Sequence, residues 1–329
     1  MISSEPTVEQ LVKGVRAGDR VMLSRAITLI ESHSPQHERM GQDVLQQLLP
    51  HSGKAWRIGI TGAPGVGKST FIEAFGCHVI QQGKSVAVLA IDPSSKISGG
   101  SILGDKTRME NLSRQERAFI RPSPSGDTVG GVARHTREAM LLCEAAGFDV
   151  ILVESIGVGQ SEVALRSMVD FFLLLLLPGA GDELQGIKRG IIEMADDILI
   201  NKADGDNKAR AAQARLQQEA SLACLQPATT GWKTQAAVCS ALTGEGIPRV
   251  WQRIEKFHAE LEPKGVIAQR RQEQAADWLS DLIRDGLQRR FDQNPRVQAD
   301  LPTLRESVRR GEITAVAAAQ RLLADFDRR

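Results

Sequence analysis

Residues 62 to 69 read Gly-Ala-Pro-Gly-Val-Gly-Lys-Ser, a complete match to the phosphate-binding loop pattern GxxxxGK[ST]. The apolar run from Trp56 to Thr61 predicts a buried strand before the loop, and Thr70 to Gln82 predicts a helix after it, so the chain contains a strand, loop and helix unit in the order the pattern requires. Glycines at 62, 65 and 67 let backbone N–H groups crowd around phosphate oxygens at a helix N-terminus, where the helix dipole favours negative charge. Within the loop Gly62, Ala63, Pro64, Gly65, Val66, Gly67, Lys68, Ser69 and Thr70 are candidate nucleotide contacts. Lys68 is expected to reach the β- and γ-phosphates, and the Ser69 hydroxyl to ligate Mg²⁺. The alternative, a glycine-rich turn matching by chance, does not explain the correct flanking elements.

Strand and helix patterns alternate from residue 56 onward. Strands are expected near 56–61, 85–91, 117–121, 148–154, 170–177, 196–201 and 235–240, and helices over 68–82, 132–146, 186–195, 207–223 and 246–261. Such alternation predicts an α/β fold with a mostly parallel sheet flanked by helices, binding ligands at the carboxyl ends of the strands. Residues 1–50 precede it as a helical segment, with periodic Val8, Leu11, Val12 and Val15, then Leu23, Ile27 and Ile30, broken at Pro35. Domain 51–262 is followed by a helical tail, 263–329, predicted as one long helix over 266–291 and shorter ones near 302–309 and 313–326. The apolar stripe of the tail needs a cover, and it reads either as a dimerisation arm or as an element docked on the parent domain.

At 329 residues and 42% hydrophobic, the chain can bury a substantial core. Lys plus Arg (41) balances Asp plus Glu (40), which leaves no basic field to recruit nucleic acid or a membrane surface. Cys77, Cys143, Cys224 and Cys239 are scattered without a CxxC, as suits a reducing compartment, and the N-terminus shows no secretory pattern, so a cytoplasmic location is expected. Phe171 to Leu177 is the most apolar stretch, but it is far short of the roughly 20 residues a membrane helix needs, and it predicts a strand buried on both faces.

The choice of base is argued from Asn201-Lys202-Ala203-Asp204, which follows the apolar strand Asp197 to Ile200. A carboxylate at Asp204 can accept hydrogen bonds from the guanine N1–H and exocyclic amine together, a donor pair that adenine lacks. Lys202 is expected to lie along the base and Asn201 to brace neighbouring loops. Ser240, Ala241 and Leu242 are expected to offer a backbone N–H to the guanine oxygen.

Hydrolysis requires a carboxylate at another strand end to organise Mg²⁺. Asp92 and Glu154 both end apolar runs; each is either that acid or a cap on the next turn. The Ser- and Gly-rich stretch from Pro93 to Met109 predicts a first switch loop in which Asp105 closes toward the γ-phosphate and metal. Glu154 to Gly157 forms an ExxG counterpart of the DxxG element, a second switch in which the Gly157 amide senses the γ-phosphate. Ras-type enzymes place a water-positioning Gln directly after that glycine, whereas Val158 stands here, so slow intrinsic turnover is expected, with Gln160 as a substitute two residues on. A third loop, Pro178 to Lys188, carries Asp182, Gln185 and Lys188; Lys188 reads either as a phosphate or partner contact or as a solvated helix start.

Taken in order, GAPGVGKST, the DPSS-to-GDKTRM block, VESIGVGQSE, the LPGAGDELQGIKRGIIEMAD block and NKAD closely resemble the MeaB/ArgK family of GTPases over nearly the whole chain. The resemblance implies a P-loop NTPase fold and a homodimeric G-protein chaperone of adenosylcobalamin-dependent methylmalonyl-CoA mutase, coupling GTP hydrolysis with Mg²⁺ to cofactor loading, protection or reactivation. By the same likeness Lys68, Asp92, Asp105 and Glu154 serve catalysis and, with Ser69, the metal. Ser155 stands where the family pattern has Thr and keeps the hydroxyl. With no DxHxxG segment, the chain is not expected to hold cobalamin itself. Two rivals remain: a nickel or zinc metallochaperone GTPase, which lacks its ligand cluster here, and a kinase linked to arginine transport, for which no acceptor pocket is defined.

Overall fold

The computed structural model describes residues 6–32, 34–91, 109–122, 129–155, 161–179 and 189–327. Its chain divides into a unit spanning 1–268 and a smaller unit spanning 269–329.

The first unit opens with three helices, α1 (Val8–Arg16), α2 (Arg20–Ile30) and α3 (Pro35–Leu48). The periodicity that predicts helix through this region does not show the break between α1 and α2, which Asp19 makes by accepting the Val21 and Met22 N–H groups. Then follow β1 (Trp56–Gly62), α4 (Lys68–Gln81), β2 (Val86–Ile91), α5 (Glu110–Ser113), β3 (Ala118–Arg121) and α6 (Val129–Ala145). After them come β4 (Val150–Ser155), α7 (Ser161–Arg166), β5 (Phe171–Leu176), α8 (Arg189–Glu193), β6 (Asp197–Ile200), α9 (Lys208–Leu222), β7 (Ala236–Val238) and α10 (Ile247–Leu261). Neither α5 nor α7 is visible in the periodicity, because four and six residues are too few to display a 3.6-residue repeat.

The described strands form one seven-stranded sheet in the order β3-β2-β4-β1-β5-β6-β7, and every recorded pairing is parallel. The α/β expectation is met. The central strand β1 runs beside β4 with Trp56 opposite Val150 and Ile60 opposite Glu154, and beside β5 with Ile58 opposite Phe171.

Strand period 2 sorts the apolar residues of β5 into two cores. Phe171, Leu173 and Leu175 join the cluster with Phe71, Phe75, Trp251 and Phe257 on the α4 and α10 side. Phe172, Leu174 and Leu176 join the cluster with α1, α2, α3 and α6 on the other. All six side chains are buried, so this run is a central parallel strand and not a membrane segment. No helix among the described residues is long and apolar enough to cross a membrane.

Ion pairs close the amino-terminal edge of the sheet, away from the phosphate loop. Arg57 Nε and Nη2 donate to Glu144 at 2.8 and 3.0 Å, and Arg253 pairs with Asp197 while its guanidinium stacks 4.1 Å over the Trp232 ring. Burial raises the Asp197 carboxyl above its ordinary value, and the Arg253 hydrogen bonds oppose that rise.

After α10 the chain enters α11 (Val266–Asp292), α12 (Pro295–Arg309) and α13 (Ala315–Asp327). The expectation of a helix starting near 302 is corrected here. Asn294 caps Arg296 and Val297, Pro295 occupies the first turn and Pro302 sits inside α12. Proline is disfavoured in a helix interior, but Val297 and Leu304 on either side of it are buried in the small core of the second unit, and that packing outweighs the lost hydrogen bond.

Candidate functional site

The loop at 62–69 leaves the carboxyl end of the central strand and enters α4 without a break. Gly67 caps that helix in the left-handed region, with φ 92°, and a Cβ there would lie 2.9 Å from Asn201 Nδ2. At Gly62, with φ 151°, a Cβ would lie 2.5 Å from the Leu175 carbonyl oxygen. Both positions therefore exclude side chains. Val66 is buried beneath the loop, while Pro64 and Gly65 face outward. The first N–H groups of α4 lack intrahelical partners, and a helix start of this kind favours an anion.

Lys68 is buried and turns back on the loop, Nζ donating to the Gly62 carbonyl at 2.8 Å and to the Ala63 carbonyl at 3.3 Å. Burial lowers its pKa below the ordinary lysine value, and the charges of Glu154 and Glu162 oppose that fall. An ammonium held this way is a cation with weak neutral partners, ready to exchange them for phosphate oxygens.

The charges of two carboxylates thus act on the lysine, of which the sequence pattern singles out only Glu154. Glu162, in the first turn of α7, is 3% exposed and accepts from the Ser161 hydroxyl at 3.4 Å. Its sequence signal was indistinct, because an acidic residue at a helix start ordinarily just complements the dipole. Glu154, at the end of β4, accepts from the Ser69 hydroxyl at 3.4 Å. A hydroxyl and a carboxylate side by side are the oxygen donors Mg²⁺ takes when phosphates and water complete its shell. No group of three or more His, Cys, Asp or Glu that could cage a metal exists among the described residues.

The segment after β6 meets the phosphate loop directly. Asn201 Nδ2 donates to the Val66 carbonyl at 2.9 Å, while its Oδ1 accepts from the Ala241 N–H at 3.1 Å. One buried amide thus ties the phosphate loop to the segment Ser240, Ala241 and Leu242. Lys202 Nζ donates to the Gly65 carbonyl at 2.7 Å, and Lys202 is the one non-glycine at positive φ (58°) among the described residues. A left-handed lysine costs about 1–2 kcal/mol and is held in place by the contacts around it. Ser240 Oγ donates to Asp204 Oδ2 at 2.5 Å, and the Thr243 N–H donates back to Ser240 Oγ at 3.2 Å, which fixes the carboxylate's orientation. Leu242 is 79% exposed at the mouth. The adjacent Cys239 thiol is pushed up to about 12 by burial and is chemically inert.

Seven other predicted site residues, Asp92, Asp105, Gly157, Gln160, Asp182, Gln185 and Lys188, lie outside the described residues. Lys68, Ser69, Glu154, Asn201, Lys202, Asp204 and the 240–242 segment are brought to the carboxyl ends of β1, β4, β6 and β7.

A parallel sheet with a phosphate loop after its central strand, joined by side-chain hydrogen bonds to an Asn-Lys-x-Asp segment two strands away, defines a P-loop GTPase. The chain belongs to the family described as methylmalonyl Co-A mutase-associated GTPase MeaB, which it matches over residues 23–296. A protein of Caulobacter vibrioides is 53% identical over 319 residues, covering 97% of this chain and 98% of its own. The Escherichia coli GTPase ArgK is 48% identical over 276 residues, 84% of this chain and 83% of its own. A mouse protein named methylmalonic aciduria type A homolog, mitochondrial, is 43% identical over 332 residues, 98% of this chain and 80% of its own. Among solved structures, one described as LAO/AO transport system kinase superposes with a TM-score of 0.79 at 37% identity, covering 98% of this chain and 99% of its own.

Proposed function

We propose that this GTPase is a nucleotide-driven chaperone of an adenosylcobalamin-dependent methylmalonyl-CoA mutase, assisting its cofactor loading, protection or reactivation. The observation that carries the reading is the family match over residues 23–296, whose description names association with that mutase. The name of the mouse relative supports it.

In this reading Lys68 leaves the Gly62 and Ala63 carbonyls for the β- and γ-phosphates when nucleotide enters. Asp204, oriented by Ser240, accepts from guanine N1–H and the exocyclic amine. Lys202 covers the base, and the Ala241 region faces its oxygen. Ser69 and Glu154, with Asp92 and Asp105, would hold Mg²⁺, which neutralises charge between the phosphate oxygens when bound. By the family resemblance Gly157 and Gln160 would serve the sensing of the γ-phosphate, and Asp182, Gln185 and Lys188 would serve as a third switch segment. Because Val158 occupies the position of the water-positioning Gln, unassisted turnover is slow and rises when the partner binds. The four scattered cysteines are free, which supports a cytoplasmic protein.

The test is recovery of an acyl-CoA mutase with the full-length protein loaded with a non-hydrolysable GTP analogue and drawn from native cytoplasm. If no mutase is retained, and purified methylmalonyl-CoA mutase leaves the GTPase rate unchanged, the chaperone reading is withdrawn while the GTPase assignment stands. A kinase reading is favoured only by the description of the superposing structure. Labelled GTP separates the two, since inorganic phosphate marks hydrolysis and labelled arginine or protein marks transfer.

A further inference from the structure

Thr61 Oγ1 and Ser155 Oγ lie 2.6 Å apart, both side chains fully buried, at the ends of neighbouring strands. Each hydroxyl has the other as its hydrogen-bond partner among the described residues. The backbone register of β1 with β4 is recorded as far as Ile60 opposite Glu154, and the hydroxyl pair takes over one residue further on. Because side chains alternate along a strand, Thr61 and Ser155 point to one face while Ile60 and Glu154 point to the other. Ile60 packs in the cluster with Phe71 and Phe75 of α4, and Glu154 meets Ser69 at the start of that helix. The pair thus braces, from behind the sheet, the strand ends that carry the phosphate loop and the carboxylate opposite it. Val at 61 and Ala at 155 would fill much the same space without burying two hydroxyls, so stability alone does not call for them. What the hydroxyls add is a fixed distance between the two strand ends.

We propose that the Thr61–Ser155 hydroxyl pair is a positioning strut that holds the Glu154 carboxylate against Ser69 and thereby sets how well the site takes up a divalent cation together with its nucleotide. This rests on the reading of Ser69 and Glu154 as Mg²⁺-holding groups. Groups that orient a metal-holding carboxylate affect metal affinity about 10–100-fold when removed.

The experiment compares the wild type with Thr61→Val, Ser155→Ala, the double variant and Ser155→Thr in the full chain. Stability is measured by denaturant unfolding, and affinity for guanylyl imidodiphosphate by calorimetry in EDTA and in MgCl₂. Each single removal orphans a buried hydroxyl and lowers stability, and the double variant recovers most of it. In EDTA the double variant binds the analogue within about twofold of wild type, whereas the gain in affinity on adding Mg²⁺ falls about tenfold or more. Ser155→Thr keeps that gain. A double variant with wild-type stability and an undiminished Mg²⁺ gain overturns the strut. If the double variant does not fold, Ser155→Ala against Ser155→Thr gives the same comparison. A wild-type protein that binds the analogue with no response to Mg²⁺ overturns the metal assignment first, and the strut with it.

Discussion

Replacing Asp204 with alanine removes the one carboxylate held at the mouth of the nucleotide site by Ser240, while leaving untouched the loop that holds phosphate. Two hydrogen bonds to a charged acceptor are at stake, so GDP affinity is expected to fall by about 3 kcal/mol, roughly 100-fold, with ADP affinity changed far less. Calorimetry with both nucleotides checks this, and equal losses would remove Asp204 from base selection. Part of this arrangement was legible in the residues: NKAD after an apolar strand gives the carboxylate and its approximate place. The bracing was not. That Asn201 bonds Val66 and Ala241 simultaneously depends on contacts 135 and 40 residues apart in the chain. Glu162 was equally hidden, since only the fold brings a helix start in α7 near Lys68.

Element α7 shows how the sheet accommodates a short helix beside the site. Gly59 lies in the middle of β1 on the α7 side, and a Cβ there would come within 2.9 Å of Leu165 and Val169. The strand glycine is therefore a close-approach position, which lets α7 lie almost on the strand backbone. Gly59→Ala is expected to destabilise by about 1–3 kcal/mol through overpacking, measured as a lower denaturation midpoint at unchanged slope. Stability equal to wild type would mean that α7 moves aside freely. The far end of α7 is anchored by Arg166, which bonds Asp196 Oδ2 at 2.6 Å and reaches Thr229 and the Ala228 carbonyl. A six-residue helix has little stability of its own, so these contacts decide that it forms. The long periodic helices and the apolar strands could be read from residue spacing. An element sustained by neighbours distant in the chain could not.

For the molecule as a whole, the second unit poses the question of association. Its core is small, built on Val297, Leu304, Ala318 and Leu322. On α11, Leu279, Ile283 and Leu287 recur every four residues and are 59%, 54% and 52% exposed. We propose that a second copy of the chain covers this stripe, in keeping with the expected dimerisation arm. Light scattering of the intact protein should then give a dimer, and Leu279→Glu with Ile283→Glu should shift it to monomer without lowering GDP affinity. A wild-type monomer at micromolar concentration would refute the arm's role.

Residue order alone determined the phosphate-loop pattern at 62–69, the parallel α/β class and the place of the Asn-Lys-x-Asp tetrapeptide after β6, because each depends on neighbours in the chain: glycines before a helix start, a period of two or 3.6, a carboxylate after a strand end. Tertiary structure alone decided which carboxylate charges act on Lys68, which hydroxyls meet behind the sheet and that Pro302 lies within a helix. Those outcomes turn on burial and on distances between segments far apart in the chain, and local patterning carries no information about either.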